Sequence, residues 1–301
     1  MDSTYKNAPL MLNLEHNPAA GGSWHLASTW CNLGLWPTDR EPCSFQCACK
    51  ELAVTLGEAA GLSPGNAVLD VGVGYGDQTA LWATRFGVRR VVAVEVSAAH
   101  VVAASEAQQT GRLAGGGVVE FRVGSAGDID DILRTDEMDG AGGFDCVLCL
   151  DCAYHFRTRA SFLHAASRAL RLGGRFAAVD LIAVECDDAA HAALPWWRVT
   201  WRSVARRAIG VLCDIPAANL HGLSAYKENL SAAGLQCNST QLLTERVFAP
   251  FAAHAVAQRR ALASELSIGQ AVFLRIIAAL FSFVAWSRLF DVVLVRAEKR
   301  T

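Results

Sequence analysis

Two short stretches hold residue types whose spacing can do chemistry. In the first, Gly72, Gly74 and Gly76 alternate with Val73 and Tyr75 directly behind the apolar run 67–71, and Asp77 and Gln78 follow. Glycine lets backbone come close to a ligand, and a helix starting just beyond it points free amides at an anion. Glu95 closes the next apolar run, at about the 20-residue distance where an acidic side chain accepts hydrogen bonds from both hydroxyls of a ribose. A ligand that carries a nucleoside is implied. The second stretch is Asp151-Cys152-Ala153-Tyr154-His155-Phe156, behind the apolar run 144–150. His155 alone among the histidines follows a strand end in this way. It fits a base that deprotonates an oxygen or nitrogen nucleophile, a group that positions the acceptor, or a plain lining residue. Asp151 falls on the cofactor side of this stretch and Tyr154 on the acceptor side.

The glycine spacing narrows the ligand. Dinucleotide sites use GxGxxG, which turns a helix terminus onto a pyrophosphate, whereas here the third glycine comes one residue early. S-adenosylmethionine has no phosphate and a zwitterionic methionine tail. Asp70, just before the glycines, suits its ammonium, and the loop amides suit its carboxylate; Gln78 opens the helix behind them. This cofactor carries its methyl group on a sulfonium, so the protein's part is to aim an acceptor atom at it and exclude water.

The elements that must hold these residues follow a regular rhythm. Phe45, Ala48, Leu52 and Leu56 lie at helical spacing within 44–62, and Ser63-Pro64-Gly65 ends that run. Strand patterns at 67–72, 90–97, 118–125, 144–151 and 175–182 alternate with helical patterns at 76–87, 99–114 and 159–174. Near-continuous apolar strands imply burial on both faces, hence a doubly wound, Rossmann-like α/β core over 65–182. Ahead of it, 1–64 reads as a lid with a leading helix. Behind it, 183–222 reads as a lid insertion, and 223–301 as the rest of the sheet with added helices, including a closing strand at 291–299.

Composition bounds the partners. The chain has 301 residues, 27 Lys and Arg against 29 Asp and Glu, and a net charge of −2. No basic face of the kind that releases counterions is evident, so nucleic acid is excluded as a partner. Hydrophobic residues make up 52%, which leaves room for a lipophilic pocket. The first residues lack the pattern of a secretory leader, so the ten cysteines read as free thiols of a reducing, cytoplasmic compartment. No metal site is expected: Cys43, Cys47 and Cys49 lack an established ligand spacing, and Cys146 and Cys149 point to opposite faces of their strand. In 271–289, Arg275 and Arg288 leave too short an apolar run to span a bilayer, so a crossover helix is predicted, with peripheral contact of one face with a membrane left open. Trp36, Trp196 and Trp197 are candidate aromatic walls for an acceptor, with packing of the lid as their other reading.

From Leu69 to Ile182 the chain resembles the class I S-adenosylmethionine-dependent methyltransferases, in the small-molecule branch with sterol, tocopherol, sugar and macrolide enzymes. The likeness is carried by LDVGVGYGDQ, VVAVEVS, FDCVLCLDCAYHF and ALRLGGRFAAVDLI, with NLGLW upstream and IPAANLHGLSAYKENLSAAGL downstream. It implies a seven-stranded sheet with a reversed last strand, and a small, lipophilic or aromatic acceptor methylated on oxygen, nitrogen or carbon. Amine N-methylation, cyclopropane formation and a catalytically silent partner subunit are the alternatives. Where the family has an acidic contact to adenine, this chain reads Gly124-Ser125-Ala126. Ser125 with Ala126, or Asp128, would take that place.

Overall fold

The computed structural model describes residues 9–17, 23–38, 43–113, 117–133, 143–185 and 196–300, with backbone alone for 9, 17, 23, 133 and 196–199. A short hairpin, β1 (Leu14–Asn17) and β2 (Ser23–Leu26), precedes α1 (Phe45–Ala59). Then come β3 (Ala67–Val71), α2 (Asp77–Arg85), β4 (Arg90–Glu95), α3 (Ala98–Gln109), β5 (Val118–Val123), α4 (Ile129–Leu133), β6 (Phe144–Leu150), α5 (Arg159–Ala169) and β7 (Leu170–Ala183). The last part holds α6 (Trp196–Leu212), α7 (Leu223–Ala232), β8 (Leu235–Leu242), α8 (Phe248–Ala261), α9 (Ile268–Ser287) and β9 (Phe290–Lys299).

The strands form one sheet in the order β5-β4-β3-β6-β7-β9-β8. β3 to β7 run parallel, and β9 lies antiparallel between β7 and β8, so the closing strand is the reversed one that the resemblance implies. Alternation along each strand divides its side chains between two cores. Val68, Cys146, Leu148 and Val179 join one core with α1, α2, α8 and α9. Leu69, Val71, Val147, Cys149 and Ala178 join the other with α5 and α7. Cys146 and Cys149 therefore face opposite layers, as their spacing requires.

One boundary differs from expectation. The helical pattern 159–174 stops at Ala169, and Leu170 already pairs with Phe144 as the start of β7. Gly173 and Gly174 sit inside a bulge of that strand, not at a helix end. The cause is close backbone contact: a Cβ on Gly143 would fall 2.7 Å from the Arg171 nitrogen.

Helix α9 is long and apolar enough to cross a membrane by length and composition. It packs along α8 through Leu274, Ala278 and Val284, and leads into β9; because β8 and β9 are adjacent and antiparallel, α8 and α9 form a helical excursion between neighbouring strands and not the crossover the sequence predicts.

Candidate active site

Beyond the carboxyl ends of β3, β4 and β6 lies a cavity of about 430 Å³. This is where ligands bind in open α/β sheets, at the point where strand order reverses. The turn after β3 forms its floor. Gly72 (φ +79°) and Gly74 (φ +56°) both adopt the left-handed conformation. On Gly72 a Cβ would lie 2.3 Å from the Cys152 sulfur, so only glycine fits; on Gly74 the space is ordinary and the demand is conformational. The Gly74 N–H donates to Glu95 Oε2 at 2.9 Å, and the Ser97 N–H to Oε1 at 3.0 Å. Burial alone would raise the Glu95 carboxyl, but the His100 ring and these two amides outweigh it and hold it below its usual value. Each oxygen keeps a lone pair for a ligand. Ser125 and Ala126 close the far end of the cavity; Asp128 is not in its wall.

Three expected site residues do not reach this cavity. Asp70 is wholly buried on the other side of the turn, where it accepts hydrogen bonds from Gln78 Nε2 (2.8 Å), Thr79 Oγ1 (2.7 Å) and Trp82 Nε1 (2.8 Å). It anchors the start of α2 to the end of β3, and no lone pair faces an ammonium. Gly76 (φ +90°) precedes α2 and packs against Phe121 and Leu113. Trp36 is buried, donates through Nε1 to the Leu33 carbonyl at 3.0 Å, and packs on Phe45 and His254. It is a core residue, not an acceptor wall. The side chains of Trp196 and Trp197 lie outside the described residues. Gln78 does line the cavity.

The sequence gives little notice of the wall opposite the glycines. Residues 29–32, from the segment ahead of α1, line the cavity and are fastened at both ends to carboxylates. Thr29 Oγ1 and N donate to Asp77, and the Leu33 N–H donates to Asp151 Oδ2 at 2.8 Å. Asp77, the first residue of α2, could have been found from its place behind the glycines; nothing local marks Thr29. With Glu95, these two put three carboxylates in a wall whose one arginine is Arg157. That set suits a ligand with net positive charge, as S-adenosylmethionine has, and repels phosphates.

A second cavity, about 380 Å³, lies between α6, α9 and the end of β7. Ile209, Leu212, Phe273, Ile277 and Leu280 contribute to it, no charged side chain does, and Tyr154 and His155 belong to both cavities. His155 Nδ1 lies 3.2 Å from the Asp214 carbonyl. A carbonyl only accepts, so Nδ1 carries the hydrogen and Nε2 is left as an acceptor.

A buried network holds the turn that carries Tyr154 and His155. Asn219 Nδ2 donates to the Tyr154 and Phe156 carbonyls at 3.1 and 2.7 Å, and its Oδ1 accepts from the Arg159 N–H at 2.8 Å. Arg159, fully buried, pairs with Asp180 at 2.7 Å and donates to the Leu181 carbonyl at 2.8 Å. Sequence reading leaves Arg159 and Asn219 unnoticed, because each acts on residues far from it along the chain.

Comparison with known proteins agrees with this geometry. The family described as "Methyltransferase domain" matches residues 69–178. Over 231 residues the chain is 30% identical to erythromycin 3''-O-methyltransferase of Saccharopolyspora erythraea, an alignment that covers 75% of this chain and 69% of that one. In fold it is similar to a putative sarcosine dimethylglycine methyltransferase from Galdieria sulphuraria (TM-score 0.72, 15% identity, 89% of this chain and 93% of that one). It is also similar to a cyclopropane synthase from Mycobacterium tuberculosis (TM-score 0.66, 16% identity, 89% and 92%). The chain belongs to the class I S-adenosylmethionine-dependent methyltransferases, in the branch that acts on small molecules.

Proposed function

We propose that this methyltransferase acts on a hydroxyl oxygen of an uncharged, largely apolar small molecule seated between α6 and α9, with His155 as the base. The observation that carries this reading is the uncharged second cavity, joined to the cofactor cavity through Tyr154 and His155. An ionised acceptor would be desolvated there with no partner. A hydroxyl is a weak nucleophile, and a base that takes its proton at the moment of attack accounts for an imidazole with Nε2 free. The relative that is by name an O-methyltransferase supports oxygen over nitrogen or carbon.

S-adenosylmethionine supplies the methyl group, and the chain does the rest. Glu95 and the Gly74 turn hold the ribose, Ser125 and Ala126 border the adenine, and the segment 29–32 excludes water. His155 receives the acceptor's proton at Nε2 while the Asp214 carbonyl keeps its Nδ1 hydrogen in place. The exposed side of α9, with Ile268, Val272, Ile276 and Trp286 beside Arg275 and Arg288, offers an apolar acceptor a route from a membrane surface.

The test is a panel of acceptors assayed by release of S-adenosylhomocysteine. Neutral apolar alcohols and phenols should be methylated, and their carboxylate or phosphate counterparts should not. Equal turnover of charged and neutral members would refute this assignment.

A further inference from the structure

We propose that Asp151 is the residue by which the site distinguishes S-adenosylmethionine, cationic at sulfur, from the neutral thioether S-adenosylhomocysteine left after transfer. The inference rests on the second cavity proposed above as the acceptor's place, and not on which acceptor fills it. Tyr154 and His155 stand in the walls of both cavities, so the sulfur and its methyl must lie beside them for transfer to reach an acceptor. Asp151 is in that wall and in the same turn. One carboxylate oxygen accepts the Leu33 N–H at 2.8 Å, and Tyr154 lines the same wall. Its backbone is left-handed, with φ +56°, a conformation that costs most residues about 1–2 kcal/mol and that Asp and Asn tolerate best. A residue held there is placed by its surroundings.

One neutral donor does not compensate a buried charge. The ion pairs among the described residues leave Asp151 out, and Asp180 adds like charge. Burial accordingly pushes its carboxyl up to about 7, in spite of the bond from Leu33 and the nearby Tyr154 phenol. A sulfonium beside it supplies the missing cation and draws that value down; a thioether does not. The other groups around it do not substitute for a cation. Cys49 and Tyr154 are raised well above their usual values by burial, and Cys152 by its contact with Cys149 and by burial. Asp180 is held by Arg159, while Asp77, Glu95, His100, His155 and Arg157 share the cavity wall.

Calorimetric titration of the whole chain between pH 5.5 and 8 tests this, with S-adenosylmethionine, S-adenosylhomocysteine and sinefungin, which is cationic through an amine at the same place. Buffers of different ionisation enthalpy add a count of protons released. Affinity for the two cationic ligands should rise as pH climbs towards 7 and then level, on the order of tenfold in all, with proton release below that point. S-adenosylhomocysteine should change by less than about threefold. Asp151→Asn, which keeps the shape and tolerates the same backbone, should remove the rise and bring the affinities together. His155→Gln should preserve both effects, and Asp77→Asn, which frees the other end of the 29–33 segment, should weaken all three ligands and leave the pH-dependent rise for the cationic two in place. An identical pH course for sulfonium and thioether, or an undiminished preference in Asp151→Asn, overturns the proposal. Should that variant not fold, proton release by the wild type decides. Failure of every ligand to bind the wild type would instead remove the cofactor assignment.

Discussion

Glu95 locks the glycine turn through Gly74 and Ser97 while keeping lone pairs for a ribose, so its loss should be felt in binding before it is felt in folding. Glu95→Ala and Gly74→Val should each weaken S-adenosylmethionine, the former by about 2–4 kcal/mol for two hydrogen bonds to a charged acceptor. Unchanged affinity by calorimetry in both would contradict the placement. Asp70 behaves differently, because its three donors belong to the fold. Asp70→Asn should bind the cofactor nearly as wild type, whereas Asp70→Ala strands three buried donors and should cost about 2–4 kcal/mol in a denaturant melt. Burial pushes the Asp70 carboxyl up from 3.8 to about 6 against those bonds. The native state therefore holds that proton more tightly, and the group's contribution to stability is full below pH 4 and lost as pH rises through about 6. Asp70→Asn should flatten that part of the stability profile. Gly72, Gly74 and Glu95 were legible in sequence because each lies at or just beyond a strand end. Asp70 was not, since proximity to the glycines along the chain does not say which way a strand residue points.

At the scale of elements, the turn after β6 is set by contacts that run through α5 and the loop before α7. Arg159→Ala would leave Asp180 buried without its partner and should destabilise the protein by about 3–5 kcal/mol, with loss of turnover following loss of the turn's support. Replacing the pair together, as Arg159→Met with Asp180→Leu, should recover much of the stability and not the activity, because a thioether side chain has no hydrogen to donate to the Leu181 and Asn219 carbonyls. A thermal melt of both variants beside a turnover assay separates the two effects. The alternation of the parallel strands with their longer helices was readable from hydrophobic period, whereas the β1–β2 hairpin and the short α4 were not. The start of β7 was not, since the bulge at 170–174 answers to close approach of the Gly143 backbone, a contact between segments that local pattern does not encode.

For the whole molecule, the seven-stranded doubly wound sheet and its reversed last strand followed from the alternation of strands and the resemblance together, while the strand order, the segment over the cofactor and the partition into two cavities came from the structure. Nothing in the spacing of Thr29 or Ile277 relates them to Gly72. The place of α9 between β8 and β9 carries a consequence for membranes: with both ends of the α8–α9 excursion tied to the domain, the protein should leave the membrane pellet under alkaline carbonate, and its contact with vesicles should be peripheral. Retention in the pellet would mean that α9 inserts. The central claim, methyl transfer to a neutral hydroxyl acceptor with His155 as base, is tested most directly by the pH–rate profile of His155→Ala beside wild type, with S-adenosylmethionine affinity measured in parallel. Turnover should fall on the order of 10² to 10⁴-fold with affinity little changed, and the wild-type dependence on pH between 6 and 9 should disappear. A variant that keeps full turnover and the wild-type profile would contradict it.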